Sequence, residues 1–412
     1  MRQSELFTKT RKEAPAGEVS KNAELLIRGG FIDKLQAGVY SYLPLGFRVL
    51  QKIEAIIREE MNKLGGQEIL MPALHPKENW LQTGRWNTLD VLYKIKDGED
   101  REMALSPTHE EVVVPLVKQF VSSYKDLPLG VYQFQDKFRM ELRPKSGILR
   151  GREFRMKDFY SFHRDETDLA AFYNSIKKVY KTIFDRVGIG ARTHLTYASG
   201  GTFSKYSHEF QTLAKNGEDT IFLCECGVAV NEEIRVENPA CPECGGKKFT
   251  EERAIEVGNI FELKTKFSEP FKLTYKDEKG ELRPVVMGCY GIGLGRVMGT
   301  IVETLSDEKG IIWPATVAPF RVHLTALAGD DASVISSADA LYRTLQERGI
   351  EVLYDDRDIS AGVKLADADL LGMPLRVVVS RKTLAENGAE LKSRGDEKVR
   401  IVKFKDLLDE LK

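Results

Sequence analysis

Two amphipathic runs on either side of a short basic connection constrain this chain more than any other feature. Over residues 131–141, Tyr132, Phe134, Phe138 and Met140 alternate with Gln133, Gln135, Lys137, Arg139 and Glu141. Over residues 152–163, Arg152, Phe154, Met156, Asp158 and Tyr160 share one face. A period of two is that of a β-strand, so the spacing predicts an antiparallel hairpin closed by the basic loop 143–151. Arg139 and Glu141 are two apart and project from one face. An arginine so placed can clamp a phosphate with two N–H groups. A glutamate beside it can accept from an amino group or hold a metal ion, and Phe154 can stack on a purine ring. An ordinary solvated sheet face with cross-strand pairs meets the same spacing.

Around the hairpin the pattern changes. Leu50, Ile53, Ile57, Met61 and Leu64 recur at steps of three and four. This predicts a helix over residues 45–64, stopped by Gly65-Gly66. Ile69, Leu70 and Met71 follow as a short extended run ended by Pro72. Beyond Trp313-Pro314, strand patterns at 320–327, 352–354 and 375–379 alternate with helical spacing, as at 332–348. That alternation predicts a separate α/β domain with a mixed sheet, beginning near residue 316.

Composition removes several classes of function. Hydrophobic residues are 42% and charged residues 30%, a folding composition. Lys and Arg number 61 against 62 Asp and Glu, a net charge of -1. A globally basic coat for nucleic acid is excluded, so any nucleic acid must meet local patches. No run of about 18 apolar residues is present, and Met1 to Thr8 mix charge with polar residues, so neither a membrane span nor a secretory signal is expected. Four of the five cysteines sit together, Cys224 and Cys226 as C-x-C, Cys241 and Cys244 as C-P-x-C-G-G. Clustering of this kind fits zinc ligands and a reducing compartment; four reduced structural thiols are the alternative.

Familiar nucleotide loops are missing. The glycine-rich stretch from Gly288 to Arg296 fails G-x-G-x-x-G in every register, with Arg296 or Met298 where the third glycine belongs. Gly246-Lys247 is followed by Lys248, so it is no P-loop. If ATP is used, another device must hold it.

The charged hairpin carries a resemblance to such a device. Phe138-Arg139-Met140-Glu141, Arg150-Gly151-Arg152-Glu153-Phe154 and Asp158-Phe159-Tyr160-Ser161-Phe162 resemble motif 2 of class II aminoacyl-tRNA synthetases. The helix ending at Gly65-Gly66 and running to Pro72 resembles their motif 1, and Gly288 to Arg296 their motif 3. Leu43-Pro44-Leu45-Gly46, Ser106-Pro107-Thr108-His109-Glu110, Met287 to Gly293, Asp355-Asp356-Arg357 and Gly362-Val363-Lys364 resemble the bacterial prolyl-tRNA synthetase family. The similarity runs in family order along nearly the whole chain.

The resemblance implies a fold and a division of labour. Residues 1–315 would be an α+β catalytic domain on an antiparallel sheet, the class II synthetase fold, and 316–412 an α/β anticodon-binding domain with a mixed sheet. ATP with Mg2+ and L-proline would give prolyl-adenylate, and the prolyl group would pass to tRNA(Pro). Arg139 would hold the ATP α-phosphate, facing the proline carboxylate, and Arg296 the γ-phosphate end; these two are the catalytic candidates. Glu141, Arg150 and Phe154 would complete the ATP site. Thr108, Glu110, Arg139, Asp158 and His208 would form the proline site, with Glu110 on the ammonium. Taken alone, Thr108-His109-Glu110 also reads as a helix cap with acidic first-turn residues. Asp356, Arg357, Lys364, Glu390 and Arg394 are candidates for the anticodon, and Lys392 lies in the same matched segments. Residues 316–412 hold 15 Lys and Arg against 17 Asp and Glu, a net of -2, a poor footprint for RNA.

Cys224, Cys226, Cys241 and Cys244 would hold a structural Zn2+. Many bacterial relatives carry a large editing domain between motifs 2 and 3. Only about 40 residues lie between Gly217 and Glu256, too few for one. A separate trans-editing protein is therefore expected, together with a cytoplasmic homodimer built on motif 1. Two alternatives stay open from sequence: activation of another small amino acid, and a non-catalytic paralogue that senses an amino acid or binds tRNA.

Overall fold

The computed structural model describes residues 1–15, 18–142, 144 and 146–411. Arg143 and Lys145, two basic residues of the expected hairpin loop, lie outside them. The chain divides into two compact units. One comprises Gln36–Val39 and Ile53–Thr300; the other comprises Met1–Leu35, Tyr40–Lys52 and Ile301–Lys412.

The first unit is built on the predicted hairpin. Among the described residues nine strands join in one sheet. They are Gln67–Glu68 (β1), Leu129–Phe138 (β2), Glu153–His163 (β3), Thr193–Ser199 (β4), Tyr206–Leu213 (β5), Asp219–Cys224 (β6), Ala229–Asn231 (β7), Phe249–Lys264 (β8) and Val286–Gly293 (β9). Their order is β5-β4-β7-β6-β8-β9-β3-β2-β1, and β5 also pairs with β8, so strands β4 to β8 close on themselves. The pairings are antiparallel apart from β1 with β2 and β7 with β4. The extended run expected at Ile69 to Met71 is shorter than predicted. The ladder ends at Glu68, although the Ile69 N–H still donates to Tyr132 O at 2.8 Å.

Helices Glu110–Val117 (α2) and Glu166–Arg186 (α3) belong to this unit, together with residues 53–63 of helix Pro44–Lys63 (α1) and residues 294–300 of helix Leu294–Thr304 (α4). α1 matches the predicted helix within a residue at each end, and Gly65 follows it at φ 78°, a left-handed stop that favours glycine. α3 buries Leu169, Tyr173, Ile176, Tyr180, Ile183 and Phe184, a stripe at steps of one to four. Asp165 caps it by accepting from the Asp168 N–H. The stripe meets the sheet through aromatic contacts: Tyr173 with Tyr290, Tyr180 with Phe210, and Phe172 with Phe159. Tyr132, on the same face, donates to Asn62 Oδ1 at 2.6 Å. Each aromatic so buried contributes about 1.5–3 kcal/mol. One sheet face is therefore spent on the core. The opposite face is divided: Val131, Tyr160, Phe162, Met287 and Cys289 join a second core cluster with Val113, Val114 and Val117 of α2, and the polar alternation continues beyond them.

In the second unit, Val322–Leu327 (β10), Val352–Asp355 (β11), Leu375–Ser380 (β12), Gly388–Ser393 (β13) and Arg400–Lys403 (β14) form a sheet ordered β11-β10-β12-β13-β14. β10 runs parallel to β11 and β12, and the other pairings are antiparallel, giving the expected mixed sheet. Helix Ala332–Glu347 (α5) buries Val334, Ala338, Leu341, Tyr342 and Leu345, and helix Ala361–Leu371 (α6) follows β11. This unit differs from the segment beginning at 316, because earlier residues belong to it. Gln3 N donates to Tyr354 O at 2.7 Å, and Tyr354 N donates to Met1 O at 2.9 Å. Phe31 and Trp313 lie ring to ring at 5.4 Å, and Asn22 donates to Glu303 Oε1 from its side chain at 2.8 Å.

Candidate active site

Strand register decides which side chains meet. Gln133 on β2 lies opposite Asp158 on β3, Asp158 opposite Gly291 on β9, Gly291 opposite Asn259 on β8, and Asn259 opposite Glu209 on β5. Residues directly opposite share a face, so this row crosses the side of the sheet turned away from α3. Lys137 pairs with Phe154 and Gln135 with Met156 further along the same face. Glycines at 291 and 293 keep the floor low. A Cβ at Gly291 would come within 2.4 Å of Met156 Cε.

Above that floor lies a cavity of about 280 Å³ lined by Arg139, Glu141, Arg150, Phe154, Glu256 and Arg296, among others. β2 ends at Phe138, and Arg139 continues the hairpin as its N–H donates to Arg152 O at 2.8 Å. Its guanidinium stands 5.1 Å over the Phe154 ring, and Nη2 donates to Pro107 O at 3.4 Å. Burial lowers the pKa of Arg139, and Arg296 across the cavity lowers it further. Two arginines thus face one space, an arrangement suited to several negative oxygens. Arg296, in the first turn of α4, donates from Nε to Leu149 O at 2.9 Å and from Nη1 to Glu256 Oε2 at 2.8 Å. Arg150 donates from Nε to Glu141 Oε2 at 3.2 Å. The five residues predicted for a nucleotide therefore line a single cavity.

The second predicted group adjoins it through Pro107. Helix α2 starts after His109, whose side chain makes no capping bond. Thr108 and Glu110 instead meet a buried arginine: Arg85 Nη1 donates to Thr108 Oγ1 at 3.3 Å and to Glu110 Oε2 at 3.3 Å. Asp158 is paired with the wholly buried Lys137, which also contacts His109 Nδ1, and it accepts from Gln133 Nε2 at 3.2 Å. Burial lowers the pKa of Lys137, with Asp158 opposing. His208 is not brought to this group. It pairs with Ile260, in the row that faces α3, and its Nδ1 meets Tyr173 Oη at 2.8 Å. Burial, with Lys177 adding to it, pushes its pKa down to about 3, so the ring is neutral.

Several residues at the site were not expected from sequence. Glu256 and Asn259 line the cavity. Glu209 accepts from Gln211 Nε2 at 2.9 Å and Asn231 Nδ2 at 3.2 Å. Polar residues at 256 and 259 within the otherwise apolar run 254–261 of β8 were the available signal.

Residues 93–305 match the class II core domain of the tRNA synthetases for G, H, P, S and T, and residues 316–412 match an anticodon-binding domain. The proline–tRNA ligase of Dehalococcoides mccartyi is 32% identical over 559 aligned positions, 99% of this chain and 98% of its own. That of Moorella thermoacetica is 34% identical over 546 positions, 96% of this chain and 95% of its own. That of Fervidobacterium nodosum is 35% identical over 552, covering 97% and 96%. The chain belongs to the proline–tRNA ligase family. Alignments this long against 412 residues mean that these family members carry stretches this one lacks.

The four clustered cysteines also come together. Cys224 Sγ and Cys244 Sγ lie 3.5 Å apart, Cys226 Sγ and Cys241 Sγ 3.6 Å, and all four sulfurs fall within 4.8 Å of one another. None is in a disulfide. A tetrahedral Zn2+ with Zn–S of about 2.3 Å places sulfurs about 3.8 Å apart, so the set fits.

The anticodon candidates all have partners within their unit. Asp356 accepts from Arg2 Nη1 at 2.9 Å and the Ser4 N–H at 3.0 Å. Arg357 donates to Asp355 Oδ1 and Asp367 Oδ2, both at 2.8 Å. Lys364 Nζ donates to Ala326 O at 2.8 Å, and Glu390 lies 3.6 Å from Arg376. Arg394 grips Asp307 with two nitrogens at 2.7 and 2.8 Å.

Proposed function

We propose that this chain activates L-proline with ATP and transfers the prolyl group to tRNA(Pro). The proline carboxylate oxygen attacks the α-phosphorus of ATP. A new P–O bond forms, and the bond to pyrophosphate breaks. A 3′-terminal ribose hydroxyl of the tRNA then attacks the acyl carbon, and AMP leaves. The nucleophile of the first step is already an anion, so no general base is required. The work is positioning and charge stabilisation. Arg139 serves the α-phosphate and proline carboxylate, Arg296 the terminal phosphates, and Phe154 the adenine ring. Glu141 and Arg150 close the adenine side from the hairpin loop. Thr108, Glu110 and Asp158 serve proline, with Glu110 on its ammonium; the face occupied by His208 argues against giving it a part. Glu256 is the oxygen donor at the cavity suited to Mg2+, which would supply charge neutralisation on the phosphates.

Further parts of the reading rest on the family and on local chemistry. Residues 316–412 take the anticodon. For Asp356, Arg357, Lys364, Glu390 or Arg394 to reach a base, each must exchange a present partner. The four clustered cysteines hold a structural Zn2+. A homodimer through the motif 1 region, a cytoplasmic location and correction of alanyl-tRNA by a separate protein complete the proposal.

One observation carries the reading: Arg139, Arg296 and Phe154 converge on one cavity, and Arg139 reaches the Thr108–Glu110 loop through Pro107 O. ATP–pyrophosphate exchange with purified protein and each of proline, alanine, threonine and serine tests it. Exchange with proline and a weaker signal with alanine are expected. A folded protein that exchanges with none of the four would overturn the reading.

A further inference from the structure

Glu110 and Glu111 are neighbouring carboxylates at the start of α2, 1% and 0% exposed. Two such groups side by side, away from water, do not both ionise without a cation. Arg85 is that cation. Its Nη1 lies 3.0 and 3.1 Å from the two oxygens of Glu111 and 3.3 Å from Glu110 Oε2. The same nitrogen donates to Thr108 Oγ1. Arg85 is itself 7% exposed, and its Nε and Nη2 have no hydrogen-bond partner. Aromatic faces take their place: Phe203, Phe267 and Trp80 lie 5.3, 5.4 and 5.5 Å from the guanidinium carbon. Phe203 in turn lines the cavity.

The charges leave a remainder. Lys137 is matched by Asp158, and His109 is neutral because burial and Lys137 hold its pKa far below the usual range. Glu111 is drawn towards Arg85 and also accepts from Thr83 Oγ1 at 2.8 Å. Glu110 Oε1 has only the Cys289 thiol, at 3.5 Å. Two carboxylates thus share one guanidinium, and Glu110 Oε1 is the oxygen that this guanidinium does not reach. A substrate ammonium brings one positive charge.

We infer that Arg85 is a positioning residue for amino-acid recognition: it neutralises Glu111, holds Thr108, and so leaves Glu110 as a single ionised acceptor for the ammonium. This rests on the reading that Glu110 takes the proline ammonium. Burial, with Glu110 adding to it and Arg85 opposing, pushes the Glu111 carboxyl up to about 7, in keeping with a pair that needs its cation.

Charge compensation tests the inference. Arg85→Met removes the cation, the carboxylates share a proton, and the KM for proline in pyrophosphate exchange rises about 10–100-fold, the scale of a lost bond to a charged group. The KM for ATP stays within about threefold. Arg85→Met with Glu111→Gln restores a single carboxylate, and the KM for proline returns at least tenfold towards wild type. A double variant no better than Arg85→Met overturns the inference, as does an equal rise in both KM values. Arg85→Lys, which keeps the charge, covers the case in which Arg85→Met fails to fold; it is expected to show a smaller rise in the KM for proline, and a KM as high as with charge removed tells against the inference. Glu110→Gln separates the underlying reading. If it leaves the KM for proline unchanged, Glu110 does not bind the ammonium, whatever Arg85 does.

Discussion

Arg296 shows what one residue does at this site. It is held by Leu149 O and Glu256, so its charge has a fixed place at the cavity. A donor fixed in advance costs little reorganisation when charge develops. Arg296→Ala is expected to lower proline-dependent exchange about 10²–10³-fold with little change in thermal midpoint, since the side chain is 30% exposed. A loss of less than about tenfold would remove it from the phosphate site. Glu209 offers a pH test. Burial, with the Glu256 carboxylate adding to it, pushes its pKa up to about 8 from 4.5. Between these values the folded protein keeps a proton that the unfolded chain has released, so stability falls as pH rises through that window. Scanning calorimetry from pH 5 to 8 should show the wild type losing midpoint relative to Glu209→Gln; parallel curves would refute the shift. At this scale the sequence was informative where spacing sufficed. Arg139 and Phe154 could be placed on a common face because each lay in an unbroken alternation. His208 could not, because its face depends on pairing with β8, fifty residues on, and alternation within β5 does not say which side is the core.

Elements show a similar division. The hairpin and α1 were legible because their periodicity is local. The closure of β4 to β8 was not, because β7 pairs in parallel with β4 across thirty residues, and nothing in either strand announces the other. The cysteines lie at one end of the pairing between β6 and β8. β6 and β8 pair from Asp219 opposite Ala254 to Cys224 opposite Phe249. Two residues past Ala254, β8 reaches Glu256, the partner of Arg296. A metal in the connection between β6 and β8 would therefore fasten a strand whose other part borders the cavity. Zinc analysis by mass spectrometry should find one ion per chain. Cys241→Ser should bind none and should melt well below wild type, yet keep proline-dependent exchange within about tenfold below its own midpoint. Wild-type protein free of metal, with an unchanged midpoint after chelation, would return the cysteines to a set of reduced structural thiols.

At the scale of the whole molecule, the chain does with 412 residues what its relatives do with alignments of 546 to 559 positions. The stretch between Gly217 and Glu256 is occupied by β6, β7 and the cysteine cluster, about 40 residues and too few for a separate editing domain. This matters for accuracy. Alanine is smaller than proline and also carries an ammonium and a carboxylate, so the roles proposed for Glu110 and Arg139 would serve both. What separates them is the apolar contact of the ring, worth about 1–3 kcal/mol per methylene. A pocket can exclude a larger amino acid by volume but cannot exclude a smaller one. The expected outcome is measurable alanine-dependent exchange, formation of alanyl-tRNA when alanine is in excess, and no faster decay of purified alanyl-tRNA(Pro) with this protein than in buffer. A hydrolase supplied separately should then clear the product without slowing prolyl-tRNA formation. Rapid deacylation by this chain alone would show that correction resides in the synthetic fold itself, and the cavity bordered by Glu256 would be the first place to look for the water that performs it.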